Sequence, residues 1–376
     1  MYRFWAVYIP SPDFRRDALK EMNSKERALT AFAHQQPDRV PINYLSNPGI
    51  DRRLKAHYGL APGDDEGLRQ RIGVDFRRID APYIGPKLHA DVPERQVDMW
   101  GIRRRWIEHE SGGYWDYCDF PLKEAGLEII ENWPMPSADD FDYAQVTQQC
   151  SQYQDYCCVA GNPGVGDIIN STGMIRTMEQ VLVDLLLDDE ACLRYIDRKN
   201  AVQLAVMERM FEAADGGIDL LWLGEDLGTQ RGPLISLELF RRHLRPRHQH
   251  FVDLGKAHEI PVMLHSCGSS SWSFDDFIEM GIGVVDTLQP EVKDMSPSFL
   301  KERYGDQLAF HGCISTAGPV AYGTVVETVE NVRQTLETMM PGGGYALAPT
   351  HQLQDNSPTE NVVALYETAL DYGHYK

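Results

Sequence analysis

From Asp188 to the C-terminus, short apolar runs alternate with longer stretches whose apolar positions recur at helical spacing. A helix predicted over 188–215 leads into IDLLWLG (218–224). A helix over 236–258, started by Ser236 and interrupted by Pro246, leads into PVMLHSCG (261–268). Helices over 272–280, 296–304 and 324–339 lead in turn into GVVDTLQ (283–289), QLAFHGC (307–313) and GYALAPTH (344–351). The final helix is announced by SPTE, with Ser357 as N-cap, Pro358 in the first helical position and Glu360 closing a capping box. Nearer the start, Ala28, Leu29 and Phe32 follow a candidate cap at Ser24 with helical spacing, and PDRVPINYL reads as a turn entering a strand. Between residues 75 and 135, Trp, Arg, Gly and Pro break the alternation and predict an antiparallel excursion with loops.

Five short apolar runs, each reached through a helix, predict a parallel α/β sheet. Two architectures fit: a closed eight-stranded barrel and an open doubly wound sheet. Polar residues decide between them, because they stand at the C-terminal ends of successive strands. A closed barrel brings all those ends to one mouth, whereas an open sheet scatters most of them. The expected fold is therefore a TIM (β/α)8 barrel over residues 22–376 with inserted loops, preceded by an extension over residues 1–21. That extension has a short aromatic run followed by Pro10, Pro12 and charged residues, without a small-residue cleavage site, so it does not read as a signal peptide. Met22 offers an alternative start.

Composition narrows the partners. The 376 residues suit one barrel with insertions. A net charge of -20 repels nucleic-acid phosphates and anionic membranes, so neither is expected as a partner, and a cationic protein surface would be attracted. No run approaches the roughly 18 apolar residues that span a bilayer. The seven cysteines form no disulfide framework, which points to a reducing compartment and a cytoplasmic location.

His265 and Cys267 end a predicted strand two positions apart, so both face the same way. Twelve histidines and seven cysteines predict ~0.2 His-x-Cys pairs by chance, yet a second pair, His311/Cys313, ends another strand, and His351 follows a third. Singly, a buried cysteine is a small hydrophobe and a histidine near a barrel mouth is a hydrogen-bonded structural group. Converging strand ends instead suggest zinc, which takes mixed thiolate and imidazole ligands and keeps one position open in catalytic sites. Glu225 and Asp226 end the strand before, two carboxylates able to act on a proton or a metal, to bind substrate or to cap a turn. Gly161, Gly164 and Gly166 do not match a dinucleotide fingerprint and read as a barrel loop. Cys157 and Cys158 point to opposite faces of a strand and read as structural, and Ser266 lacks a nucleophile-elbow context.

The segment NSKERALTAFAHQQPDRVPINYL resembles the opening of uroporphyrinogen-decarboxylase-like proteins. GEDLGTQRGPLISLELFRRHLRPRHQHF, HSCGSSSWSFDDFIEMGIGVVDTLQPE, LKERYGDQLAFHGCIST and GGGYALAPTHQLQDNSPTENVVALYE resemble their later segments in the same order. The resemblance runs from about Met22 to the end and implies an α/β barrel. That superfamily includes porphyrinogen decarboxylases and corrinoid-linked methyltransferases. The arginine-rich stretch of the decarboxylases is missing from NYLSNPGIDRRLKAHYG, where Arg52 and Arg53 stand in a different setting. The methyltransferase branch holds zinc on a His-x-Cys pair, which carries over to His265 and Cys267. Its usual third ligand, a cysteine after the last strand, corresponds to His351, with Cys313 as the rival.

The resemblance thus implies a zinc-dependent methyltransferase moving a methyl group between a small methylated substrate and a separate corrinoid protein, since the chain has no D-x-H-x-x-G corrinoid signature. A methoxylated aromatic, O-demethylated, would suit the aromatic cluster of Trp100, Trp106, Tyr114 and Trp115. Glu225 would orient or protonate the leaving oxygen, and Asp226, Gln230 and Asn170 would line the substrate pocket. A homodimer is compatible with this reading. The alternatives are a uroporphyrinogen-decarboxylase-type lyase and a non-catalytic corrinoid- or tetrapyrrole-binding protein.

Overall fold

The computed structural model describes residues 21–109 and 112–376. Its strands, in chain order, are β1 (Phe76–Ile79), β2 (Gln96–Val97), β3 (Arg103–His109), β4 (Gly112–Cys118), β5 (Cys157–Gly161), β6 (Leu220–Gly224), β7 (Val262–Ser266), β8 (Val284–Thr287), β9 (Ala309–Ile314) and β10 (Tyr345–Pro349). Seven of them pair in the order β1-β5-β6-β7-β8-β9-β10, and every pairing between these neighbours is parallel. The five strands expected in the second half of the chain are all present. β2, β3 and β4 form the antiparallel excursion.

The eighth stave comes from PDRVPINYL. Leu347 of β10 donates its N–H to the Pro41 carbonyl at 2.8 Å, and Asn43 donates back to Leu347 at 2.8 Å. On the other side Asp75 donates to the Ile42 carbonyl at 2.9 Å, while Ile42 donates to the Asp75 carboxylate at 2.8 Å. The ring is thereby closed. Pro41 has no N–H to give, so this stave is tied by separate bridges instead of a continuous ladder. Arg27 and Arg39 also bond the fully buried Asp75 carboxylate, the Arg39 contact at 2.8 Å. The closure is thus held partly by charge-assisted bonds.

Strand alternation sorts side chains into two cores. Phe76, Val159, Trp222, Met263, Val284, Ala309 and Ala346 fill the inside of the ring. Leu264, Val285, Phe310 and Leu347 point outward under the helices. Cys157 and Cys158 fall one in each core, as their adjacency predicts.

Three local expectations are corrected. The first helix is capped by Asn23 with Glu26 in a capping box, and the Ser24 hydroxyl instead donates to Asp75 at 2.7 Å. The last helix, Thr359–Tyr372, has Pro358 at its N-cap without a side-chain cap, and among the described residues the buried Ser357 hydroxyl finds no partner. Pro246 does not interrupt its helix. A π-helical turn over Phe240–Leu244 absorbs the missing donor, and the helix continues over Arg245–Ala257. The expected extension over residues 1–21 lies outside the described residues except for its last position. Among the described residues no helix is long and apolar enough to cross a membrane.

Candidate metal centre

Inward-facing positions that are apolar deep in the ring become polar near its C-terminal mouth. Met263, Val284 and Ala309 lie inside, and two residues further along the same strands come His265, Asp286 and His311. Strand register aligns them, with His265 opposite Asp286 and Asp286 opposite His311. The Asp286 carboxylate accepts from His265 Nδ1 at 2.6 Å and from His311 Nδ1 at 2.6 Å. His311 Nε2 lies 3.0 Å from the Asn43 amide on the closing stave, and the Thr287 hydroxyl lies 2.8 Å from His265 Nδ1. Burial alone would raise the pKa of Asp286, but the two imidazoles hold it well below the usual carboxylate range. Burial would likewise lower His265, and Asp286 outweighs it, so the imidazole pKa lies well above its ordinary value.

With Nδ1 engaged, His265 Nε2 faces the cavity, 3.3 Å from Cys267 Sγ. Asp226 completes the group. Its Oδ1 is 3.8 Å from His265 Nε2 and accepts the Cys267 N–H at 2.9 Å, while Oδ2 accepts from Asn170 Nδ2 at 2.6 Å. One nitrogen, one sulfur and one oxygen thus lie within 4.8 Å of one another. Ligands at 2.0–2.3 Å around a tetrahedral zinc stand ~3.3–3.8 Å apart, and the separations of His265 Nε2 from Cys267 Sγ, 3.3 Å, and from Asp226 Oδ1, 3.8 Å, fall in that range. The Asp286 bond to Nδ1 is the carboxylate–histidine support that metal-bound imidazoles ordinarily have. Burial raises the Cys267 thiol, with His265 opposing; a bound divalent cation would hold it as thiolate.

The other sequence candidates take distinct places. His351 is exposed on the rim and lines both large cavities, of about 840 and 630 Å³, which also share His265 and Pro163. It does not belong to the close trio. Cys313 lies in the outer apolar core. Regular alternation would turn it inward after His311, but positive φ values of 134° at Gly312 and 68° at Cys313 reverse its direction, and burial pushes its thiol well up. Gln230 is exposed in the loop after β6 and lines none of the cavities described here. Asn170 lines the 630 Å³ cavity and steadies Asp226.

Glu225 borders that cavity but is 1% exposed. Its two oxygens accept the Ile168 N–H at 2.8 Å and the Ile169 N–H at 3.0 Å, at the start of helix Ile169–Arg176. Burial pushes its pKa up to about 8 against those two bonds. His248 Nε2, 3.3 Å away, is pushed down to about 4 by burial and is neutral at pH 7. Of the aromatic cluster, Trp106, Tyr114 and Trp115 are exposed on the excursion, and Trp106 packs edge-on against Trp115 at 5.5 Å. The excursion and the loop after it bring Tyr117 and Phe120 to the cavity instead.

Sequence reasoning missed Asp286. Its signal was an acidic residue inside the otherwise apolar run GVVDTLQ, next to the His265 strand.

The family model described as uroporphyrinogen decarboxylase (URO-D) matches residues 170–372. Among solved structures, a methyltransferase from Methanosarcina mazei superposes with a TM-score of 0.62 at 18% identity, covering 94% of this chain and 99% of that one. At that identity the likeness establishes the fold. A solved IOLI protein with a binding zinc atom aligns at 10% identity over 67% of this chain and 95% of that one, with a TM-score of 0.32, too slight to carry an argument. No curated protein sequence matches.

Proposed function

This chain belongs to the uroporphyrinogen decarboxylase (URO-D) family, and from that premise we propose that it is a zinc-dependent methyltransferase moving a methyl group between a methoxylated aromatic and a corrinoid carried on a separate cytoplasmic protein. The observation that carries the reading is the imidazole, thiol and carboxylate trio at the open end of the barrel.

His265 and Cys267 hold the ion, and Asp226 is the third group within reach. When bound, zinc polarises the ether oxygen and stabilises the departing phenolate. In the proposed transfer a reduced corrinoid on the partner would supply the nucleophile for the methyl group, and the phenolate oxygen would keep the electron pair of the O–CH3 bond. Asp286 fixes the imidazole orientation. Asn170 and the Cys267 N–H orient Asp226. Glu225 acts as a positioning residue, because both oxygens already hold the helix that carries Asn170.

His351, the third ligand expected from the sequence, and Asp226 are separable. Asp226→Ala is expected to lower zinc affinity by more than ~10-fold, and His351→Ala by less, measured by chelator competition. The reverse order would move the third ligand to the rim.

Glu225→Gln keeps one acceptor oxygen. It is expected to cost about 1–3 kcal/mol in denaturant unfolding while methyl transfer in the folded protein falls less than ~10-fold. A general acid would lose ~100-fold or more.

The activity test uses zinc-loaded protein, cob(I)alamin and a methoxybenzoate. The reading requires loss of cob(I)alamin absorbance with formation of methylcobalamin and the free phenol. Carbon dioxide release from uroporphyrinogen, without methyl transfer, would replace it with a lyase. Tight tetrapyrrole binding with no turnover of either kind would make the protein a carrier.

A further inference from the structure

A third cavity, of about 380 Å³, adjoins the metal site. It shares Gly164, Asp167 and Met174 with the 630 Å³ cavity and Arg78, Asp80 and Asn162 with the 840 Å³ one. Trp100, Met174, Val202, Met207 and Met210 make much of its wall apolar. Lys199, on helix Glu190–Ala214, stands in that wall and is only 3% exposed.

Among the described residues Lys199 makes no hydrogen bond or salt bridge, and its Nζ lies 5.6 Å from the centre of the Trp100 ring. Lysines normally reach for water, so a buried ammonium without an acceptor is costly. The other two cations lining the cavity are paired. Arg104 bonds Asp98 at 2.9 Å and Arg78 bonds Asp80 at 2.7 Å.

Asp167, Asp98 and Glu225 attract Lys199 through space, but among the described residues none of them bonds it. Asp98 already accepts the Trp100 N–H at 2.9 Å and the Ile102 N–H at 3.0 Å in addition to Arg104. Asp167 accepts the Asn170 and Ser171 N–H groups, and burial together with Glu225 pushes its pKa well above the ordinary range. Burial brings Lys199 down to about 8 against the pull of Asp167, Asp98 and Glu225, which leaves it mostly charged at pH 7.

We infer that this cavity is the seat of an aromatic carboxylate, its carboxylate paired with Lys199, its ring against Trp100 and the methionines, and its far edge directed across the shared wall toward His265 and Cys267. The inference rests on the proposed methyl transfer for the reacting atom, and it narrows the substrate class to methoxylated aromatic acids. Its apolar wall suits a ring, while an unpartnered ammonium rejects a neutral one by comparison.

The test titrates the purified full-length protein with 3-methoxybenzoate and with its neutral analogue 3-methoxybenzamide, by calorimetry. Wild type is expected to bind the acid ~10-fold or more tightly than the amide, as a charge-assisted bond implies. Lys199→Met should remove the preference and Lys199→Arg should keep it, with zinc content unchanged. Equal binding of acid and amide by wild type would overturn the inference. So would a preference that survives Lys199→Met, which would put the carboxylate on the metal. Should Lys199→Met fail to fold, the wild-type comparison still decides whether an anion is preferred, and a Lys199→Arg protein that loses the preference rejects the subsite. A kept preference without methyl transfer would sink the methyltransferase reading alone; transfer without the preference would sink the subsite alone.

Discussion

Cys267→Ala is expected to yield a folded protein that retains almost no zinc and transfers methyl groups at least ~100-fold more slowly than wild type. Removing a group that merely supports a ligand weakens metal sites by roughly 10–100-fold, so removing a ligand itself should exceed the upper end of that range. Cys267 is only partly buried, and its Sγ contacts His265 Nε2 at 3.3 Å. Truncating it therefore opens no large core cavity, and the melting temperature of metal-free protein should hardly change. Metal analysis after gel filtration, beside a thermal melt, separates the two effects. A Cys267→Ala protein with full zinc would place the ion elsewhere.

Asp286→Asn should have the second large effect, and it combines affinity with stability. The wild-type carboxylate accepts from two imidazoles at once, on neighbouring strands, at 2.6 Å each. An amide offers one oxygen, so one Nδ1–H must face an NH2 group. Breaking a buried charged network by altering one partner typically costs 3–5 kcal/mol, and Asp286 is 1% exposed. Loss of the orienting bond to His265 should also weaken zinc by ~10–100-fold. Chemical denaturation of the metal-free protein gives the first quantity and chelator competition, well below the melting temperature, gives the second. Asparagine that leaves zinc affinity intact would reduce Asp286 to a structural role.

The barrel was legible because its strands are buried on both faces. LLWLG, VMLHS and AFHGC read as apolar runs between amphipathic helices, and their polar ends predicted a common mouth. His265 and Cys267 were legible for the simpler reason that two-residue spacing on a strand fixes a shared direction. What escaped was long-range. Asp226 reaches the trio through a bond to the Cys267 N–H, 41 residues away in the chain, which no local pattern encodes. PDRVPINYL reads as a turn entering a strand, but its part in closing the ring rests on Asp75 and isolated bridges that no local pattern encodes. Cys313 misled because the alternation that predicts its direction is broken at Gly312 by a backbone conformation visible only in three dimensions. The exposed Trp106 and Trp115 misled for the opposite reason, since aromatic composition does not say which side of a hairpin faces the cavity.

The central claim is that His265 and Cys267 hold one catalytic ion. Zinc K-edge absorption on protein expressed in zinc-replete medium tests it most directly. The account predicts about one zinc per chain with a single sulfur at ~2.3 Å and lighter ligands at ~2.0–2.2 Å, the sulfur vanishing in Cys267→Ser. Protein that emerges without metal, or a zinc whose shell holds no sulfur, would contradict it.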